Sequence, residues 1–272
     1  MNPRPILVLA IWLVASAHAG AAQGPWITGT KAEVRLLAAG VDPDGRLAAG
    51  IEIVLPPGWH TYWRSPGDAG IAPVIDFSAS RNVGSVEVSY PLPTRLDDGI
   101  SVSNVYDDRV VFPVSAVVSD PSAPVDLVLA AELGVCAEIC VPDKIDARLT
   151  IPPGEADAAV AAGLAAARAL VPGPSEPGAF GLDAVVREGG SDKRPVFRFT
   201  GVVPDAATAE VFVEGPPDWA PYRPEFKGDE GGKAAWSVKF SRLGATTSIE
   251  GAKFRITIAA GGRAVEQTLG LN

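Results

Sequence analysis

The chain has 272 residues and a net charge of −9 at neutral pH, and an acidic surface of this kind repels phosphate backbones, so nucleic acid is disfavoured as a partner. Its 29 glycines and 25 prolines mark a globular protein rich in turns rather than a disordered one. At this length the chain can build one large or two modest cores without needing disulfides merely to stay folded.

The first residues, MNPRPILVLAIWLVASAHAG, combine a positive charge at Arg4, an apolar run from Ile6 to Ala15 and the small-x-small triplet ending at Ala19. This is the pattern of a secretory signal peptide over residues 1–19, and it predicts an exported protein. The apolar run is short for a bilayer span, and no later stretch approaches the roughly 18 to 20 apolar residues that a membrane helix requires. The mature chain is therefore expected to be soluble.

From residue 27 to 153 the text is one of short alternating runs: Ile51, Ile53 and Leu55; Val86, Val88 and Tyr90; Val125, Leu127 and Leu129; Ile145, Ala147, Leu149 and Ile151. A period of two, broken repeatedly by turn residues, predicts half-buried strands in series and hence a sandwich. Residues 154–173 then turn alanine-rich, with Glu155 and Asp157 near the start and Pro172 and Gly173 at the end. Alanine is the best helix former, acids suit a helix N-terminus, and proline stops a helix, so a short connecting helix is expected. Across 174–272 alternation returns in PVFRFTGVV, AEVFVEG, AAWSVKFSRL, KFRITIAAGG and RAVEQTLGL. This predicts a second β domain, and with it an all-β chain interrupted by one helix.

The only two cysteines, Cys136 and Cys140, lie in LGVCAEICVPDK. Four residues apart on a regular helix their Cβ atoms would be about 5 to 6 Å apart, more than a disulfide spans, and on one strand about 13 Å. Only a tight turn lets them meet. Strand-like residues on both sides, Gly134 read as loosening the chain, and Pro142 together place the pair on a connection between two strands, near the surface. Three chemistries remain open for it. A structural bridge is one, although closing so short a loop removes only about 2 kcal/mol of unfolded-state entropy. A Cu(I) site is another, with the two thiolates and His60, the only histidine after the signal segment. Thiol-disulfide exchange is the third.

A second stretch, PPGWHTYWRSPGDAGIAP, packs Trp59, His60, Tyr62, Trp63 and Arg64 into a few positions. The tryptophans read as core, and Arg64 as snorkelling or paired to an acid such as Asp68. Alternation leaves His60 or Tyr62 free to line a surface site.

Taken in order, PPGWHTYWRSPGDAG, YPLPTRL, VYDDRVVFPV and LGVCAEICVPDKIDARLTIP resemble the periplasmic N-terminal domain of the DsbD and ScsB family of thiol:disulfide interchange proteins. The resemblance covers roughly residues 27 to 153; residues 174–272 match only loosely, as the second β domain of some longer ScsB-like regions. It implies an immunoglobulin-like sandwich, a periplasmic location and no cofactor. It also implies electron relay between a membrane-embedded thiol donor of the DsbD/CcdA type and periplasmic thioredoxin-like or disulfide-containing proteins. In the family pattern Cys140 forms mixed disulfides with partners and Cys136 resolves them. Tyr62 and His60 fall where the family has tyrosines beside the pair, and Asp97 and Asp98 fall on its acidic capping loop. Where better known members carry a shielding aromatic, this chain has Gly99 followed by Ile100, which implies a weaker shield. Glu138 and Asp143 near the sulfurs are opposed by Lys144 and Arg148, and the expectation is that the free thiols are not unusually acidic.

Overall fold

The computed structural model describes residues 22–271, so the proposed signal segment at 1–19 lies outside the described residues. The N-terminal strands are β1 (Ile27–Thr28), β2 (Glu33–Val41), β3 (Arg46–Val54), β4 (His60–Gly67), β5 (Val74–Asp76), β6 (Val83–Val88), β7 (Thr94–Asp97), β8 (Val102–Asp107), β9 (Arg109–Val118), β10 (Val125–Cys136) and β11 (Cys140–Ile151). They form two facing sheets, β1-β2-β3-β9-β6 and β11-β10-β4-β8-β7, with β5 added to β10. The architecture is all-β and immunoglobulin-like.

The alternation seen in the sequence is the reason for this sandwich. Along β10, Val125, Leu127, Leu129, Ala131, Leu133 and Val135 are buried, and opposite them on β11 so are Ile145, Ala147, Leu149 and Ile151. These side chains meet Val34, Leu36, Ile51, Ile53, Phe112 and Val114 of the other sheet in one core. Full burial of each large aliphatic side chain contributes about 1.5–3 kcal/mol before chain entropy is set against it.

The helix α1 (Ala158–Ala169) begins where Asp157 caps it, its carboxylate accepting from the backbone N–H groups of Ala159 and Val160 at 2.8 and 2.9 Å. Val160 and Leu164, four apart, pack on Leu37 of β2. Leu164 sits against Gly50, where an added Cβ would stand 2.6 Å from its Cδ2; a larger residue there would push the helix off the sheet.

The C-terminal strands are β12 (Gly173–Pro174), β13 (Gly181–Ser191), β14 (Arg194–Val202), β15 (Glu210–Glu214), β16 (Ala220–Pro221), β17 (Glu225–Glu230), β18 (Lys233–Ser241), β19 (Lys253–Ala260) and β20 (Arg263–Gly270). They make two further sheets, β12-β20-β19-β15 and β13-β14-β18-β16, with β17 on β18, around an aromatic core of Phe197, Phe199, Trp219, Trp236, Phe240 and Phe254. β13 and β17 were not anticipated from alternation. Register shifts between Leu182 and Ala184, between Arg187 and Gly189, and between Phe226 and Gly228 break their period of two, and most of their side chains face solvent.

The two halves are joined by more than the helix. Phe212 of β15 is buried in the N-terminal core, its ring 5.3 Å from that of Trp63. Arg64, read as snorkelling or paired to an acid such as Asp68, is paired to acids of the other half, Glu214 at 2.7 Å and Glu266. Burial alone would lower the Arg64 pKa, but hydrogen bonds and charge from these two carboxylates outweigh it and hold the guanidinium above its ordinary value. Alternation within one half gave no means of foreseeing a partner 150 residues away.

Candidate functional site

The two cysteines form a disulfide, with Cα atoms 4.1 Å apart. They are the last cross-strand pair of a long hairpin: β10 and β11 stay in register from Val125↔Ile151 to Cys136↔Cys140, and Ala137, Glu138 and Ile139 make the turn. The strands therefore each run about five residues further toward the cysteines than the apolar runs Val125 to Ala131 and Ile145 to Ile151 indicated. Gly134, read as loosening the chain, and Pro142, read as blocking a helix, are a strand pair facing each other. Pro142 is tolerated because β11 is an edge strand. Gly134 is there for space: a Cβ would stand 2.6 Å from Cβ of Ile71 and 3.2 Å from Cδ2 of Tyr62.

The two cysteines differ sharply in access. Cys136 is 1% exposed and packs with Tyr62 and Val105, whereas Cys140 is exposed beside Ile139, which is 67% exposed. The hairpin tip is pinned to β4 by the pairs Cys136↔His60 and Val135↔Thr61, and by a buried bond from the Thr61 hydroxyl to the Gly134 carbonyl at 2.9 Å.

Tyr62 is 3% exposed, so the open position read from alternation is not the one it occupies; its ring is covered and its hydroxyl lies 3.6 Å from the Cys140 sulfur. With the sulfurs bonded to each other, only the hydroxyl has a proton to donate. Burial, and secondarily the charge of Asp98, raises the Tyr62 pKa and keeps the phenol protonated. His60 is half-buried and meets the Tyr62 ring edge-on at 5.4 Å. Burial lowers its pKa against the opposing effect of Asp107, favouring neutral imidazole.

The acids at 97 and 98 belong to the β7–β8 turn. Asp97 accepts from the Gly99 N–H at 3.0 Å, and Asp98 accepts from Ile100 and Ser101 N–H at 2.9 and 2.7 Å. The Ser101 and Ile100 amides hold the Asp98 carboxyl below its usual range. Ile100 is 96% exposed, so it does not lie on the disulfide.

Of the four charged side chains near the sulfurs, Glu138, Asp143, Lys144 and Arg148, two have defined partners. Asp143 is buried on β11, and its carboxylate accepts from the N–H groups of Thr30, Lys31 and Ala32 at 2.6, 2.8 and 2.8 Å. It tethers the β1–β2 turn to the strand leaving Cys140. Lys144 pairs across the hairpin with Glu132 at 2.8 Å. Among the described residues no group of three or more His, Cys, Asp or Glu side chains gathers as a metal site, and no helix among them is long and apolar enough to cross a membrane.

The class these features define is an immunoglobulin-like sandwich with a disulfide at a hairpin tip, one cysteine buried and the other exposed. Residues 31–151 match the family model described as thiol:disulfide interchange protein DsbD, N-terminal, and this segment of the chain is a domain of that family. The crystal structure of the N-terminal periplasmic domain of ScsB from Proteus mirabilis is similar in fold, with a TM-score of 0.71 at 24% sequence identity over 92% of this chain and 98% of that one. No curated protein matches the chain.

Proposed function

We propose that the protein is a periplasmic electron carrier that exchanges its Cys136–Cys140 pair with other proteins' thiols and disulfides. The observation that carries this reading is the unequal exposure of the two cysteines. In the reduced protein the Cys140 thiolate attacks a substrate disulfide and forms a mixed disulfide. Cys136 then attacks Cys140, releasing the substrate as a dithiol and closing the intramolecular bond. Two electrons have left the protein. They are restored when a dithiol of the DsbD/CcdA membrane type attacks Cys140 in turn, and the substrates are thioredoxin-like or disulfide-containing proteins of the periplasm.

Tyr62 and His60 line the site in this proposal, Asp97, Asp98 and Ile100 form its neighbouring loop, and no cofactor takes part. The chain is organised as a signal peptide at 1–19, a redox domain at 27–153, a connecting helix at 154–173 and a second β domain at 174–272. The match of residues 31–151 to a thiol:disulfide interchange family supports the chemistry. Equilibration with glutathione buffers tests it: a working carrier has a reduction potential well above about −300 mV, and a value below that marks a structural bridge.

A further inference from the structure

Strand β7 is only four residues long and lies at the edge of its sheet, paired solely with β8. So short an edge strand gains little from its own ladder, yet it carries the 98–101 turn. What holds its other side is the C-terminal half. Arg95, whose side chain is only 10% exposed, donates from Nε to Glu210 at 2.6 Å and from Nη2 to the Val211 carbonyl at 2.9 Å, with its guanidinium 4.4 Å above the ring of Phe212. At the end of the strand Arg223 pairs with Asp97 at 3.4 Å. These contacts rest on a fixed platform, because Phe212 is embedded in the N-terminal core and Arg64 is clamped separately by Glu214 and Glu266.

We infer that the C-terminal half is a brace for β7, with Arg95 and Arg223 as positioning residues that hold the 98–101 turn clear of Cys140. The disposition of the turn is consistent with this. Ile100, its one large apolar side chain, stands in solvent, and Cys140 is open. Neither arginine touches the sulfurs; both act through the strand that carries Asp97. The turn leads straight into β8, whose Val105 pairs with Tyr62 and packs on Cys136. A released turn therefore has a short path to the disulfide, where Ile100 gains burial against the sulfur and Ile139. The inference rests on the proposed role of Cys140 as the exchanging sulfur, but the brace itself is measurable without it.

The test uses the full chain and the exposed member of the pair. Arg223→Asp leaves the buried Arg95 contacts intact and should not unfold the protein, and Arg223→Lys keeps the positive charge opposite Asp97 while leaving the Asp97 carboxylate on the Gly99 N–H. Two quantities are read: amide hydrogen exchange over residues 98–101, and the rate at which dithiothreitol and a reduced thioredoxin reduce the disulfide. The brace predicts that Arg223→Asp speeds amide exchange in the turn severalfold. It also predicts slower reduction by thioredoxin, by about threefold or more, with less effect on dithiothreitol, and values close to wild type for both in Arg223→Lys. Unchanged amide exchange in Arg223→Asp, or an equal loss in Arg223→Lys, overturns the brace. If instead wild type resists thioredoxin but its turn still responds to Arg223→Asp, the brace stands and the exchange reading falls.

Discussion

The hydroxyl of Tyr62 and the sulfur of Cys140 lie 3.6 Å apart although 78 residues separate them in the chain. Donation from a buried phenol to a sulfur stabilises that sulfur as it gains negative charge on reduction. Tyr62→Phe keeps the ring's packing and removes only the donor. It is expected to cost the oxidised protein no more than about 1 kcal/mol, while the reduced protein's attack on a disulfide slows by about fivefold, as for one lost hydrogen bond of about 1 kcal/mol. Stopped-flow exchange with a small disulfide checks this; an unchanged rate removes Tyr62 from the chemistry.

The space at Gly134 is filled by Tyr62 and Ile71. Gly134→Ala should therefore destabilise the protein by about 1–3 kcal/mol, as overpacking does, and displace the phenol from the sulfur. Urea denaturation measures the first effect, and a slower exchange rate resembling that of Tyr62→Phe reports the second.

Asp143 holds three backbone N–H groups of the β1–β2 turn. Asp143→Ala leaves those donors without their acceptor in a buried site, at an expected cost of about 3 kcal/mol, whereas Asp143→Asn keeps one carbonyl acceptor and costs less. Denaturant midpoints for the pair of variants decide between this tether and a merely surface charge, for which the two would be equal and small.

The pH limits follow from the neutral forms that burial favours. His60 has its pKa lowered, so its contribution is present above the unfolded value near 6.5 and is lost as pH falls through the folded value. Tyr62, Tyr90 and Tyr106 are all raised, chiefly by burial. Their contribution is complete below the unfolded value near 10 and is lost as pH climbs beyond it. Melting temperature against pH should fall on both flanks; His60→Gln should flatten the acid flank around pH 6, and Tyr62→Phe should soften the alkaline one.

Much of the N-terminal sandwich was legible because its side chains obey a single rule. Leu127, Leu129, Leu149 and Ile151 alternate without interruption, and a two-residue period has one physical meaning in a strand. β13 and β17 were not legible, because their bulges and exposed faces erase that period. Gly134 and Pro142 misled for a related reason: both are common in turns, yet here one makes room for a neighbouring ring and the other sits on an edge. The cysteines' place between two strands was legible from the flanking runs. The partners of Arg64 and Asp143 were not, since Glu214, Glu266 and the Thr30–Ala32 amides are brought to them only by tertiary packing.

The most direct measurement is the yield of mixed disulfide formed by each single-cysteine variant with an oxidised thioredoxin-like protein or with glutathione disulfide, identified by mass spectrometry. The account predicts that Cys136→Ser, which leaves the exposed Cys140, accumulates the adduct readily, and that Cys140→Ser, which leaves Cys136 at 1% exposure, forms it at least about tenfold more slowly, a difference of about 1.4 kcal/mol in barrier. Equal trapping by the two variants, or faster trapping through Cys136, would contradict it.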